Sequence, residues 1–515
     1  MAAIITDQIR ILNAKNFVSG VTTSTNSYYS FVGLPNPADV QSDWDQNPPA
    51  PKDNFEEEDQ YWDTMIALKK ITSSDVRQVV ARRVWSSGTT YDYYRNDYSR
   101  SNPAKISGAT NLYSASFYVV NSDYRVYICL QNGTDPANPN GKPSLDEPTF
   151  TDLEPRSAGS SGDGYIWKYL YTIKPSDIVK FESNDFIPTP LDWSTSSDNA
   201  SVRDNAVDGS VKIVVITNAG IGIGTGGTYT KVPIKGDGTG AEASVVVAPD
   251  QTVESVTISN QGSGYTYGTL DIEAGGLPTG TTTPTFDVII TPPGGHGKDI
   301  YRELGAYNVL LYSRIENDSE DPDFITGNQI SRIGIVENPK ETSTALLTKS
   351  KASAVYGLRL TGTGYSTSSF DADSFITQTI GTGQTAVGRV VSYDSNTGVL
   401  KYWQDRSMAG FTTAGIGITN PTYGYELLKF TSSPSTGGNL TIIPSSGSTL
   451  SINTSFTGVS TVINNRTYYF GQEFTNGIAN PEVKKYTGNI IYVDNRASVT
   501  RSLNQKEDIK VILQF

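Results

Sequence analysis

The chain contains a single histidine and a single cysteine, and both limit the chemistry that it could perform. His296 lies between two glycines in the turn PPGGHGKD. A Ser-His-Asp or Cys-His device needs an oriented imidazole, and this setting suits a tight backbone turn better, so we do not expect His296 to be catalytic. Cys129 lies in the strand-like run 124–130, where we expect a buried, inert thiol. This composition allows no intrachain disulfide and no ordinary zinc site.

Three glycines, Gly222, Gly224 and Gly227, match the pattern GxGxxG after the strand-like run VKIVVI. In dinucleotide-binding proteins this motif works only if a helix follows, because the helix N-terminus holds the pyrophosphate. Residues 228–235 are rich in β-branched side chains and include Pro233, which predicts a strand in place of that helix. We therefore assign the glycines to a turn and expect no nucleotide cofactor.

Four acidic residues, Asp318, Glu320, Asp321 and Asp323, lie close together in one loop. They lack the glycine and the distal glutamate of an EF-hand, so we interpret the segment as a solvated acidic loop. The 53 acidic residues offer many pairs for glycoside cleavage, but the sequence singles out none. It therefore predicts no catalytic, cofactor-binding or metal-binding residues and no enzyme. A depolymerase with an unrecognised carboxylate pair stays open as an alternative.

The composition indicates a mainly β protein that acts away from nucleic acids and membranes. At 515 residues the chain is too long for one core, so we expect about three units. Its 48 glycines and 30 tyrosines, without periodic Leu, Ala, Glu and Lys, favour strands and turns. The net charge of −13, without basic clusters, disfavours nucleic acid. No apolar run reaches the roughly 18 residues of a membrane span, and the absence of a secretion signal predicts synthesis in the cytoplasm.

The segment GDGYIWKYLYTI, residues 162–173, gives the strongest strand signal. Alternate positions of a strand share one face, and here they are large and mostly aromatic: Tyr165, Trp167, Tyr169, Tyr171 and Ile173. Lys168 and Thr172 would lie on the opposite face. The pattern predicts a half-buried core strand, and an aromatic strip that stacks on sugars is the alternative.

Other segments predict two helices and several further strands. The first helix covers 6–17, and the second covers 60–70 after the acidic run 53–59. Their predicted apolar faces are formed by Ile5, Ile9 and Leu12 in the first helix and by Tyr61, Met65 and Leu68 in the second. Strands are predicted at 26–32, 112–120, 124–130, 307–315 and 330–336, and the chain is expected to end in a strand.

Two glycine-rich stretches interrupt this pattern. The runs 211–240 and 255–271 each contain a strand ending in Ile-Thr-Asn or Ile-Ser-Asn, a glycine turn and a tyrosine before another strand, which indicates an internal repeat. The predicted division has five parts: a core β domain at 1–207, an inserted β-repeat domain at 208–293, a middle core part at 294–355, a second inserted β domain at 356–480, and closing core strands at 481–515.

Several segments taken together resemble one viral protein family. GDGYIWKYLYTI, the run RIGIVENP, the closing segment TGNIIYVDNRASVTRSLNQKEDIKVILQF and, less specifically, RRVWSSGTTYDYY resemble the baseplate wedge protein of T-even-type contractile-tailed phages, the product of gene 8. The similarity covers roughly 1–205, 294–345 and 481–515. The two glycine-rich stretches would make the chain a longer form of the family, as in myophages of cyanobacteria.

The resemblance implies a β-sandwich core with a few helices in loops, and a virion protein that forms a homodimer within each wedge of the tail baseplate. It also implies contacts with other baseplate wedge proteins and no enzymatic activity or cofactor. The two insertions are candidates for contacts with tail fibre or peripheral baseplate proteins. A receptor- or carbohydrate-binding tail module is the alternative, motivated by the turns at Gly264–Tyr265 and Gly364–Tyr365.

Overall fold

The computed structural model of the protein describes residues 4–23, 25–194, 200–316, 322, 324, 326–404, 417–420, 424–445, 449–502 and 504–515. The residues Asp318, Glu320, Asp321 and Asp323, which the sequence predicts as a solvated acidic loop, lie outside the described residues. The chain divides into two compact units. The first comprises Met1–Val18, Val76–Leu311 and Val511–Phe515, and the second comprises Ser19–Asp75 and Tyr312–Lys510. The five-part division given above stays a prediction.

Strands account for 42% of the residues and helices for 10%, which confirms the mainly β fold class. The helices of the described residues are α1 Asp7–Thr22, α2 Phe55–Thr64, α3 Pro175–Phe181, α4 Ala200–Asp204 and α5 Ile300–Leu304. The strands up to residue 316 are β1 Tyr28–Gly33, β2 Met65–Ile71, β3 Val76–Ala81, β4 Tyr118–Val120, β5 Arg125–Asn132, β6 Tyr165–Thr172, β7 Phe186–Pro188, β8 Val211–Asn218, β9 Gly227–Gly236, β10 Thr239–Val247, β11 Val253–Ser263, β12 Gly268–Leu270, β13 Thr285–Ile290 and β14 Asn308–Glu316. The later strands are β15 Gln329–Glu337, β16 Lys340–Glu341, β17 Lys351–Ser353, β18 Tyr356–Thr361, β19 Phe375–Gly381, β20 Gln384–Asp394, β21 Val399–Trp403, β22 Gly417–Asn420, β23 Gly424–Leu427, β24 Thr441–Pro444, β25 Leu450–Ile452, β26 Gly458–Ile463, β27 Arg466–Phe474, β28 Ile478–Ala479, β29 Val483–Lys484, β30 Asn489–Thr500 and β31 Lys506–Gln514.

The first unit is built around an antiparallel sheet of three strands in the order β4-β5-β6. Strands β4 and β5 form the hairpin predicted around residues 121–123, although 112–114 form a short 3₁₀ helix in place of the start of the strand. The aromatic side chains of β6 pack into the main hydrophobic cluster of this unit together with residues of β4 and β5. A second cluster, between Val211 and Ile290, lies among the strands β8 to β13.

Strand β6 is covered on both faces, so the prediction of a half-buried strand is wrong. Lys168 is buried and its Nζ atom donates to the carbonyl oxygen of Leu153 at 2.6 Å. Leu170 on the same face is also buried, whereas Tyr169 is only half-buried. Two irregularities in the register between β5 and β6 break the strict alternation of faces. Burial lowers the pKa of Lys168, and the carbonyl partner compensates its charge in part.

The two copies of the internal repeat do not fold as separate small units. Strand β8 of the first copy pairs with β13, whereas β9 of the same copy joins β11 and β12 of the second copy in one sheet. The order of that sheet is β11-β10-β9-β12. The repeat in the sequence predicts similar strands and turns. It does not predict which strands pair, because pairing depends on long-range contacts.

In the second unit, a five-stranded antiparallel sheet has the order β17-β2-β1-β15-β30. Strand β2 of this sheet contains residues that were predicted to belong to the second helix, so that part of the prediction is wrong. Helix α2 begins in the acidic run as expected but ends at Thr64, and Met65–Ile71 continues as a strand between β1 and β17. Residues 65–68 are buried on both faces of the strand and therefore form a continuous apolar run. Within this run Met65 and Leu68 are three residues apart, which coincides with helical spacing.

Six further strands of the second unit close into a barrel, which the sequence did not indicate. Strand β18 pairs with β21 on one side and with β25 on the other, and the ring continues through β20, β19 and β24. The apolar side chains of these strands form a cluster that includes Leu358, Ile376, Leu400 and Ile442. The ring leaves none of its six strands at an open edge.

Two neighbouring isoleucines of β24 provide a matched test of this core. Ile442 is fully buried, whereas Ile443 points outward and is 48% exposed. We expect Ile442→Ala to lower the free energy of unfolding by about 2–4 kcal/mol, because it removes buried methyl groups and leaves a cavity. Ile443→Ala should cost less than about 1 kcal/mol. Urea unfolding of both variants measures the difference, and equal losses would contradict the assignment of the barrel interior.

Candidate interaction surface

The imidazole of the single histidine, His296, is held in a fixed orientation. This corrects the expectation of a tight backbone turn without an oriented imidazole. The Nδ1 atom of His296 lies 2.5 Å from Oε1 of Glu303, and Oε2 of Glu303 accepts a hydrogen bond from the backbone N–H of Gly297 at 2.8 Å. The ring of Tyr94 meets the imidazole edge-on at 4.7 Å between centroids. Both His296 and Glu303 are buried. The pair therefore connects the turn to α5 and is not accessible to a substrate in this structure.

The other residues that the sequence singled out also serve the fold. Cys129 is fully buried, as predicted, and burial raises the pKa of its thiol. The glycines Gly222, Gly224 and Gly227 adopt positive φ angles and lead into strand β9, so the helix of a nucleotide site is missing, as expected. Among the described residues, no three His, Cys, Asp or Glu side chains come together as a group that could bind a metal ion.

Tyr265, which motivated the carbohydrate-binding alternative, is only 3% exposed. Its hydroxyl donates to the carbonyl oxygen of Ile234 at 2.9 Å and accepts from the N–H of Ala241 at 3.2 Å. The ring belongs to the hydrophobic cluster of strands β8 to β13, so it is not available for stacking on a sugar, and that use of Tyr265 is wrong. Tyr365 is half-buried beside the guanidinium of Arg359.

Helix α1 is anchored to the first unit by one face. Ile11, Ala14 and Val18 of that face are buried. The Nε atom of Arg10 donates to the carbonyl oxygen of Phe515 at 2.5 Å, and its guanidinium lies 4.0 Å above the ring of Tyr307. These contacts fix the rotation of the helix about its own axis.

Two apolar side chains in the first half of α1, Ile9 and Leu12, and Ile5 just before the helix are exposed, which corrects the prediction that they form the face packed on the core. Ile5, Ile9 and Leu12, hereafter the α1 stripe, are 74%, 50% and 51% exposed. Ile9 and Leu12 are three residues apart on the helix and are neighbours on its surface, whereas Ile5 precedes Asp7, the first residue of α1. Sequence periodicity identified these three residues but could not tell which apolar side chains of α1 face the core. The α1 stripe is a surface on which a partner could bury apolar side chains.

A second exposed apolar surface lies on the hairpin of β26 and β27 in the second unit. Among the described strands these two pair with each other alone, and Asn464 and Asn465 form the turn with positive φ angles. Val459 and Val462 of this hairpin are largely exposed, and Tyr469 on the second strand is partly exposed. The other side of β27 packs into the second unit, since Phe470 and Phe474 are buried in a cluster with Val399 and Ala479. The hairpin is therefore held in place and presents its exposed side chains to a partner.

No model of a known protein family matches the chain, and no curated protein matches it. Within the described part of the chain, none of the helices is long and apolar enough to cross a membrane. The family to which the chain belongs is therefore a matter of proposal.

The buried state of Cys129 can be measured directly. We expect the native protein not to react with Ellman's reagent, because the thiol is inaccessible and its pKa is raised. Unfolding in concentrated guanidinium chloride should release one reactive thiol per chain. Ser160→Cys, which places a thiol at an exposed position, is the matched control and should react in the native state. Reaction of the native wild-type protein at the rate of this control would contradict the structure.

Proposed function

We propose that the chain is a structural subunit of the baseplate wedge of a contractile phage tail and that it works by assembling with other proteins. The observation that carries this proposal is the α1 stripe, three exposed apolar side chains at the N-terminal end of α1, a helix whose other face is anchored to the core. Burial of an exposed Ile or Leu side chain contributes about 1.5–3 kcal/mol. Three such side chains at one end of the helix therefore favour a protein partner over permanent contact with water.

The family resemblance supports the kind of assembly. GDGYIWKYLYTI corresponds to strand β6 in the main core of the first unit. RIGIVENP begins within β15, and the closing segment contains β30 and β31. Strands β15 and β30 are neighbours in one sheet of the second unit. The segments that resemble the wedge protein thus correspond to buried or paired strands, on which a shared fold would depend.

This function defines the expected partners and location. The chain forms a homodimer through the α1 stripe and contacts other wedge proteins in the virion, without an enzymatic activity or a cofactor of its own. Val459, Val462 and Tyr469 lie within the second predicted insertion, and they are available for a tail fibre or peripheral baseplate protein.

The location can be tested on purified virus particles. We expect mass spectrometry of particles from the source phage to detect the chain in amounts comparable to other tail proteins. Antibodies against it should label the end of the tail that carries the baseplate in electron micrographs. A chain that is abundant in infected cells but absent from purified particles would contradict the proposal.

The role of the α1 stripe can be tested by combining Ile5→Gln, Ile9→Gln and Leu12→Gln. Glutamine retains a good helix propensity, so the helix should form while the exposed apolar side chains are lost. We expect native mass spectrometry and light scattering to show a dimer for the wild type and at least a tenfold weaker self-association for the variant.

Val179→Gln, at a 64% exposed position of α3, is the matched control and should remain dimeric. Circular dichroism verifies that both proteins are folded. The proposal is contradicted if the wild type is monomeric and binds no wedge protein, or if the triple variant and the control associate equally well.

A further inference from the structure

Strand β30 is the outermost strand of the five-stranded sheet in the second unit. It has 12 residues and pairs through one edge with β15. The other edge presents backbone N–H and C=O groups that could pair with an added strand. Long open edges of this kind promote unspecific association, and proteins usually cover them.

Of the described residues, the segment between Trp44 and Pro49 covers one half of this edge. In the half near the C-terminal end of β30, Nε1 of Trp44 donates to the carbonyl oxygen of Arg496 at 2.8 Å, and Asp45 accepts from the N–H of Ser498 at 3.0 Å. Nδ2 of Asn495 donates to the carbonyl oxygen of Pro49 at 2.9 Å. The covering segment continues as NPPAP, whose prolines have no N–H to donate, so it cannot act as a further strand.

The other half of the edge, at Ile490–Val493, borders a groove of about 260 Å³. The opposite wall of the groove is formed by Pro51–Asn54, Glu58 and Tyr61. The Tyr61 hydroxyl accepts from the N–H of Lys52 at 3.0 Å and donates to its carbonyl oxygen at 3.1 Å, so this wall is held in place. Ile491 is 38% exposed and offers an apolar contact inside the groove.

The wall opposite β30 is strongly acidic. Residues 52–59 contain five carboxylates and one lysine, and Asp53 and Glu58 line the groove. Helix α2 fixes these positions, since the side chain of Asn54 caps it by accepting from the N–H of Glu57 at 2.9 Å. Burial and the charges of Asp59 and Asp53 raise the pKa of Glu58. Lys52, the lysine of this segment, forms its ion pair with Glu57 at 3.2 Å and not with Asp53 or Glu58, which line the groove.

We propose that this groove binds an extended, positively charged segment of another protein, which pairs with the open edge of β30 and directs lysine or arginine side chains towards Asp53 and Glu58. Backbone pairing supplies a binding mode that tolerates different side chains, and the carboxylates select for charge. A second copy of β30 fits this place less well, because it would bring a second acidic wall against the first. The inference does not depend on the proposed baseplate function.

Binding can be measured on the purified chain with a labelled octapeptide in which lysine alternates with threonine. We expect saturable binding by fluorescence anisotropy that weakens as salt concentration rises. The same peptide with glutamate in place of lysine should not bind. A peptide with N-methylated backbone nitrogens should bind at least tenfold more weakly, since it keeps the charge but loses the pairing.

Two protein variants locate the site. Asp53→Asn combined with Glu58→Gln should weaken binding of the lysine peptide by about tenfold. Glu56→Gln combined with Glu254→Gln removes the same charge outside the groove and should leave binding unchanged. Hydrogen exchange of residues 489–494 should slow when the peptide is bound.

The proposal is overturned if no peptide binds, if the lysine and glutamate peptides bind alike, or if exchange at 489–494 does not change. Equal binding of the N-methylated peptide would also overturn it, because attraction to the acidic wall alone would then explain the affinity. Equal losses in both double variants would show that only net charge matters. Thermal unfolding of each variant verifies that it remains folded.

Discussion

The guanidinium of Arg332 is buried in the second unit where β15, β30 and the end of α2 meet. Its Nε atom donates to Oδ1 of Asn495 at 2.9 Å, and its Nη2 atom donates to Oδ1 of Asn36 at 3.1 Å. Nη1 donates to the hydroxyl of Thr64, at the C-terminal end of α2. Burial lowers the pKa of Arg332 to about 10, so it stays protonated at neutral pH. A buried charge is stable only with a few arrangements of its hydrogen-bond partners. The hydrogen bonds of Arg332 therefore hold the end of α2 beside β30.

A mainly β chain must also deal with the edges of its sheets, and the second unit does so in two ways. The barrel closes on itself through β18 and β21, so its ring exposes no backbone edge. The sheet that ends at β30 stays open, and the segment from Trp44 to Pro49 covers half of its last strand. The uncovered half, beside the acidic start of α2, is where the structure offers a strand-like partner a place to pair.

The abundance of tyrosine has two explanations, an interior role and a role at interfaces, and in the first unit the interior role dominates. Buried tyrosine rings fill the core while their hydroxyls bind carbonyl groups of irregular segments. Tyr127 donates to Phe150 at 2.5 Å, Tyr165 to Lys142 at 2.8 Å, and Tyr301 to Pro190 at 2.8 Å. These hydrogen bonds stabilise long loops that contain little secondary structure of their own. Of the surfaces that remain for partners, the α1 stripe is aliphatic and the groove beside β30 is acidic.

The sequence by itself determined the class of the fold and most of the elements. Turn glycines and alternating aromatic residues are local signals, so β1, β6, β14, β15 and the hairpin of β4 and β5 could be predicted, as could the strand after Gly227. The start of α2 followed from its acidic first turn, and Cys129 was correctly expected to be buried.

Only the tertiary structure decided which faces are covered and which strands pair. Met65 could continue a helix or begin a strand, and its place between β1 and β17 selected the strand. The contacts of Arg10 turned Ile9 and Leu12 outward, although periodicity alone favoured their burial. His296 became an oriented, buried partner of Glu303 because α5 packs against its turn. The open edge of β30 likewise depends on long-range pairing. A local pattern of residues can predict a strand, but it does not show which strands lie beside it.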